Sequence, residues 1–122
     1  VPNDFNVFQE TARERLEKSA WWVAPRYHLN YFGYESLSNL LASHGLQEID
    51  RLASFPIEIF LLMGEDYVGQ PETGATCHAR RMRFERALIE TGRVEDLLML
   101  YRSLARASVG RTCGLLARKP DV

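Results

Sequence analysis

Cysteine is scarce in this chain, with only Cys77 and Cys113 among 122 residues. Neither stands at metal-ligand spacing, and two scattered thiols fit reduced core residues better than a disulfide framework. An excess of one charge is also missing, since 15 Lys and Arg face 16 Asp and Glu. No basic field favours nucleic acid or an anionic membrane, and any anion site has to be local. Long apolar runs are absent: the longest, Ile57 to Met63, is interrupted by Glu58 and falls far short of the ~20 residues that span a bilayer. With no signal-peptide pattern either, the expected setting is cytoplasmic. His28, His44 and His78 are scattered without ligand spacing, so no metal is expected.

What is present suffices for one domain. Hydrophobic residues make up 46% of the chain, enough for a core at this length. No internal repeat or low-complexity segment interrupts it. Val1 and Pro2 read as the end of a buried strand entering a turn. Asn6 is placed to cap a helix from about Val7 to Lys18, with Gln9 closing a capping box. Phe8, Ala12 and Leu16 give that helix a narrow apolar stripe, and Glu14 and Lys18 are spaced for an i,i+4 pair.

A second helix, about Glu35 to His44, turns Leu37, Leu40 and Leu41 inward and stops at Gly45, where His44 can meet the helix C-terminus. The stretch "LQEIDRLAS" reads as a strand. Pro56 suits the first turn of a helix, so "PIEIFLLMG" is a short buried helix ended by Gly64. The turn-rich "GEDYVGQPETG" follows, then a helix from about Thr76 to Thr91 carrying Arg80, Arg81, Arg83 and Arg86. Val94, Leu97, Leu98, Tyr101, Leu104 and Ala105 recur at helical period behind Glu95 and Asp96. Gly110 closes that helix, and "RTCGLLARKP" reads as the last strand. Two strands cannot bury the faces of five helices unaided. Further strands are therefore expected from sequence upstream of Val1 or from a second copy, and unpaired strand edges make a homo-oligomer an expectation.

The segment "WWVAPRYHLNYF", residues 21–32, is too aromatic for an ordinary connection. It either plugs the core or lines a pocket. Together, "VPNDFN", "HLNYF" before "ESLSNLLASHGL", the strand "QEIDRLAS" and the closing "GLLARKP" resemble the C-terminal part of class I S-adenosylmethionine-dependent methyltransferases. In that family a strand ending in a Pro-Asn turn is the fifth of a seven-stranded sheet, a helix follows, and two antiparallel strands finish the sheet. His28, Phe32, Leu37, Leu40, Leu41, Gly45 and Leu46 fall on its pattern. The fold class implied is α/β, the end of a Rossmann-like seven-stranded sheet, mostly helical as it stands. Residues 1–55 would be the end of the core, 56–108 a helical insert between the last two strands, and 109–122 the last strand and tail. The Gly-x-Gly turn with which the family holds its cofactor is missing, so tight binding of S-adenosylmethionine is expected only with upstream strands present.

The resemblance implies methyl transfer to an O or N of a small-molecule acceptor, for which an enzyme holds the acceptor in line and takes its proton. Asn3, Asp4 and Asn6 follow the presumed fifth strand at the edge where open α/β sheets bind ligands; turn and cap roles are the alternative. His28 is the candidate base, with loop-fixing hydrogen bonds the alternative. Tyr27 and Tyr31 are candidate acceptor walls, and Tyr67 in the insert a further contact. Arg81, among the clustered arginines, can clamp an oxyanion, although such runs are more often solvated helix faces. A helical interaction or homodimerisation module without catalysis is the second reading. A nucleic-acid module rests on the Arg-rich helix alone and is not expected.

Overall fold

The computed structural model describes residues 1–121. Two strands, β1 (Gln47–Ala53) and β2 (Cys113–Arg118), pair antiparallel from Gln47 opposite Arg118 to Ala53 opposite Cys113, with an irregularity between Glu48 and Asp50. A third stretch lies on the other side of β2. Cys113 and Val1 exchange backbone hydrogen bonds, Asn3 N–H donates to the Arg111 carbonyl, and Pro2 bridges Thr112 in antiparallel sense. Cys113 directs both its N–H and its C=O to Val1, so its pairing with Ala53 on the other side is of the non-hydrogen-bonded kind. Val1–Asn3 and β1 therefore run in the same direction on either side of β2.

Among the described residues there are five helices, α1 (Val7–Arg15), α2 (Tyr34–Ser43), α3 (Glu58–Leu62), α4 (Pro71–Glu90) and α5 (Val94–Arg106), of which α2 and α5 pack on the strands while α1 packs on α3 and α4 on α5. The capping box at Asn6 and Gln9 forms as the sequence implies, with the Asn6 side chain accepting from Phe8 N–H and Gln9 N–H. α1 is shorter than expected. Glu17 turns into the left-handed region at φ 52° and Lys18 N–H donates back to the Arg13 carbonyl. Lys18 thus leaves the helix face and pairs with Asp66 at 2.7 Å, so the expected Glu14–Lys18 pair does not form. α4 begins earlier than expected, because Pro71 takes the first helical position, where a missing N–H costs nothing.

The core centres on Tyr34, Ala53, Ala105 and Cys113, with Phe32, Leu37, Leu104 and Leu115 packed around them. In α2 it is Tyr34 that is buried, while Leu40 stays 41% exposed, contrary to the leucine stripe read from sequence. The Tyr34 hydroxyl lies 3.0 Å from the Leu52 carbonyl and 3.1 Å from the Thr112 carbonyl, so one donor serves both strands. Burial, reinforced by Cys113 and opposed by Arg51, pushes this phenol up to about 12. On α5, Leu97, Tyr101 and Ala105 form the buried face that the periodicity implies. Cys77 and Cys113 are free, buried thiols. No helix is long and apolar enough to cross a membrane among the described residues.

Candidate functional site

The ends of Val1–Asn3 and β1 and the start of β2 meet at one edge of the sheet, and the aromatic segment and α1 follow directly from it. Asp4 is the hinge of this edge. Its N–H donates to the Phe32 carbonyl, which ties the strand end to the end of the aromatic segment. A groove of about 340 Å³ opens here, lined by Val1, Pro2, Asp4, Tyr27, His28, Leu29, Asn30 and Phe32.

The aromatic segment divides between core and groove. Trp22 is buried and meets Trp21 edge-on at 4.8 Å between ring centres, whereas Tyr27 is 84% exposed. Phe5 lies between Trp22 and Tyr31, at 5.6 and 6.0 Å. Its backbone sits at φ 58°, a conformation that costs a non-glycine residue about 1–3 kcal/mol and persists where surrounding contacts hold it. Ala24 N–H donates to the Tyr31 hydroxyl, fixing that ring inside the segment. His28 is exposed on the groove wall, with Tyr31 edge-on at 6.4 Å. Its imidazole can reach a proton on a molecule in the groove.

Asn3 and Asn6 are engaged by the chain itself. Asn3 is 2% exposed and its amide donates to the Ser108 and Gly110 carbonyls, locking the strand end to the turn before β2. Asn6 uses its oxygen for the helix cap and its amide on the Asn3 carbonyl. Arg81 makes two 3.1 Å bonds to Glu85 on its own helix, while Arg80 is held by Glu65 and Arg86 by Glu90. Those pairings leave the arginine helix balanced rather than poised for an oxyanion.

Asp4 also adjoins a polar cluster that the sequence reading overlooked. α1 packs on α3, which brings Gln9, 0% exposed, toward Glu58, 1% exposed. Arg111 reaches in from the start of β2, its Nη1 standing 4.0 Å from Glu58 Oε1 and 3.9 Å from Asp4 Oδ1. Glu58 Oε2, Gln9 Nε2 and Arg111 Nη1 are buried without a hydrogen-bond partner among the described residues. The Gln9 amide is near enough to influence the carboxylate without reaching hydrogen-bond geometry. Burial drives the Glu58 carboxyl up, with Arg111 and Gln9 acting against it. Tyr67 joins from the segment between α3 and α4, its phenol driven up by burial and then by the charge of Glu58. The structure thus associates Asp4 and Tyr67 with this cluster, and Asp4, His28 and Tyr27 with the groove. Arg81 belongs to neither.

Glu58 did leave a signal in the sequence: it is the lone charge inside an otherwise apolar run. A buried carboxylate is expensive unless something partners it. Arg111 left none, because its two carboxylate neighbours are supplied from distant parts of the chain. No group of three or more His, Cys, Asp or Glu among the described residues comes together as metal ligands would. No family model, curated protein or solved structure matches the chain.

Proposed function

We propose that this chain is the acceptor-side, C-terminal portion of a class I S-adenosylmethionine-dependent methyltransferase that methylates an O or N of a small molecule. The supporting observation is the strand arrangement: Val1–Asn3, β2 and β1 lie side by side, with β2 antiparallel to both. That is compatible with a strand, a helix and two closing antiparallel strands in the chain order the resemblance implies. The polar groups and the groove lie where the same-direction strands end, the edge at which open α/β sheets bind ligands.

Gly45, Gly64, Gly69 and Gly92 have positive φ and stand in open turns, and the space beside Gly110 is filled by Ala53 and Ser54. No two of these glycines are spaced as Gly-x-Gly. The donor would be held by strands upstream of Val1. In this reading the groove positions the acceptor, Asp4 orients it, and His28 takes the acceptor's proton.

Calorimetric titration with S-adenosylhomocysteine, on this chain and on one extended upstream of Val1, tests the proposal. Binding by the extended chain alone is expected. Absence of binding by both would remove the methyltransferase reading.

A second reading, a homodimerisation module without catalysis, draws on β1. That strand pairs on one side only among the described residues, and Ile49, Leu52 and Leu116 are exposed nearby. Light scattering on the eluting chain would show only monomer if this reading is wrong.

A further inference from the structure

The sheet has one covered face and one bare face. Strand alternation puts Glu48, Arg51 and Ala53 on the same side as their partners Ala117, Leu115 and Cys113. α2 lies on that side, because its Glu35 pairs with Arg51 and its Ser38 donates to Glu48, and α5 reaches it through Ala105, which packs with Tyr34, Ala53 and Cys113. The opposite side presents Leu52 across from Gly114, Asp50 across from Leu116 and, at its end, Arg118. Leu52 and Leu116 stay 36% and 59% exposed there. An antiparallel sheet that faces water on one side ordinarily turns polar residues to it. Here Gly114, opposite Leu52 and two residues from Leu116, leaves a gap beside both leucines. A groove of about 290 Å³ runs over them, lined by Asp50, Arg51, Leu52, Gly114, Leu115 and Leu116.

The charges around this groove select its occupant. Arg51 is neutralised on the α2 side by Glu48 and Glu35. Asp50 is the carboxylate that lines the groove itself, and it is already engaged: Arg102 of α5 bonds it at 3.0 Å, and the charge of Arg106 acts on it as well. Arg118 meets only the neutral Gln47 side chain, at 3.5 Å, among the described residues. Arg102, Arg106 and Arg118 thus border the groove against one carboxylate, and an apolar floor is left with a positive rim. Stacking a second copy face to face would set one positive rim against another, which costs affinity. A sheet face accepts a helix, whereas an added strand needs an edge. A helix with apolar side chains along one face and carboxylates flanking them matches both floor and rim.

We infer that the face formed by Leu52, Gly114 and Leu116 is the docking surface for an acidic amphipathic helix of a partner protein, its apolar side chains over Gly114 and its carboxylates on Arg106 and Arg118. Nothing in this face depends on the methyltransferase reading.

Nuclear magnetic resonance titration of the ¹⁵N-labelled chain, following the Leu52, Gly114 and Leu116 amides, tests it. The probes are two helical peptides with the same leucine face, one flanked by glutamates and the other by lysines. The glutamate peptide should shift these amides saturably and bind at least about tenfold more tightly than the lysine peptide, and raising salt from about 0.05 M to about 0.5 M should weaken it. Leu116→Ser should weaken it at least about tenfold, the loss of one apolar anchor. Should Leu116→Ser fail to fold, Arg118→Glu, a change at an exposed side chain, should abolish the preference for the glutamate peptide. No binding of the glutamate peptide, equal binding of the lysine peptide, or unchanged affinities in the folded variant would each overturn the inference. So would shifts of the same amides on concentrating the chain alone, which would give the face to a second copy. Loss of peptide binding in a chain extended upstream of Val1 would equally overturn it, by giving the face to that segment.

Discussion

Arg111 Nη1 stands 4.0 Å from Glu58 Oε1, close enough for their charges to interact yet beyond hydrogen-bonding distance, in a region where Glu58 is 1% exposed. The pair makes Glu58 the residue through which pH should act on this fold.

Burial raises the Glu58 carboxyl above its ordinary value of 4.5. The folded state then holds its proton where the unfolded chain releases it. Stability from this group is complete below the ordinary value and is lost as pH rises toward the raised one, by at most about 1.4 kcal/mol per pH unit. Glu48, Asp50 and Asp66 act in the opposite sense, since hydrogen bonds from Arg51, Arg102 and Lys18 hold their carboxyls low. Urea midpoints for wild type and Glu58→Gln across that window isolate the effect. The variant should gain on the wild type as pH rises, and parallel curves would show that Glu58 ionises as freely folded as unfolded.

Tyr34→Phe should cost about 1–3 kcal/mol, because the Leu52 and Thr112 carbonyls lose their shared donor and no other polar group replaces it. Denaturant unfolding measures this. An effect near zero would mean that those carbonyls find water.

Gly110→Ala should be more damaging than Tyr34→Phe. The residue sits at φ 116°, and an added Cβ would stand 2.6 Å from the Ala53 Cβ and 2.8 Å from the Ser54 carbonyl oxygen. Strain and overpacking together should exceed about 3 kcal/mol. A variant with native thermal stability would show that the turn can shift.

Asn6→Ala should cost about 1 kcal/mol through loss of the cap, with the added loss of the bond to the Asn3 carbonyl. His28→Ala, by contrast, alters an exposed side chain and should change stability by less than about 0.5 kcal/mol. In a chain that also carries the donor-binding strands, it should lower turnover by about 10²-fold or more, and affinity far less. Lost affinity with unchanged turnover would remove His28 as the base.

Local chemistry determined much of the fold. The Asn6–Gln9 cap, the Gly45 and Gly64 helix ends, the α5 face and both strands follow from neighbouring residues and their spacing. Where α1 stops and α4 starts was legible only in part, since Glu17 adopts a left-handed turn no glycine announced and Pro71 could be read as loop or as first helical residue. The candidate site divides along the same line. Asp4, Tyr27 and His28 could be named from the turn and the aromatic run, because their neighbours in sequence are their neighbours in the groove. That Asn3 and Asn6 are consumed by backbone partners, and that Glu58, Gln9 and Arg111 converge, was decided by tertiary structure. A side chain's solvation and charge partners depend on which distant segments are folded against it. For Glu58 those segments are α1 and the start of β2, and no spacing within the sequence encodes their approach.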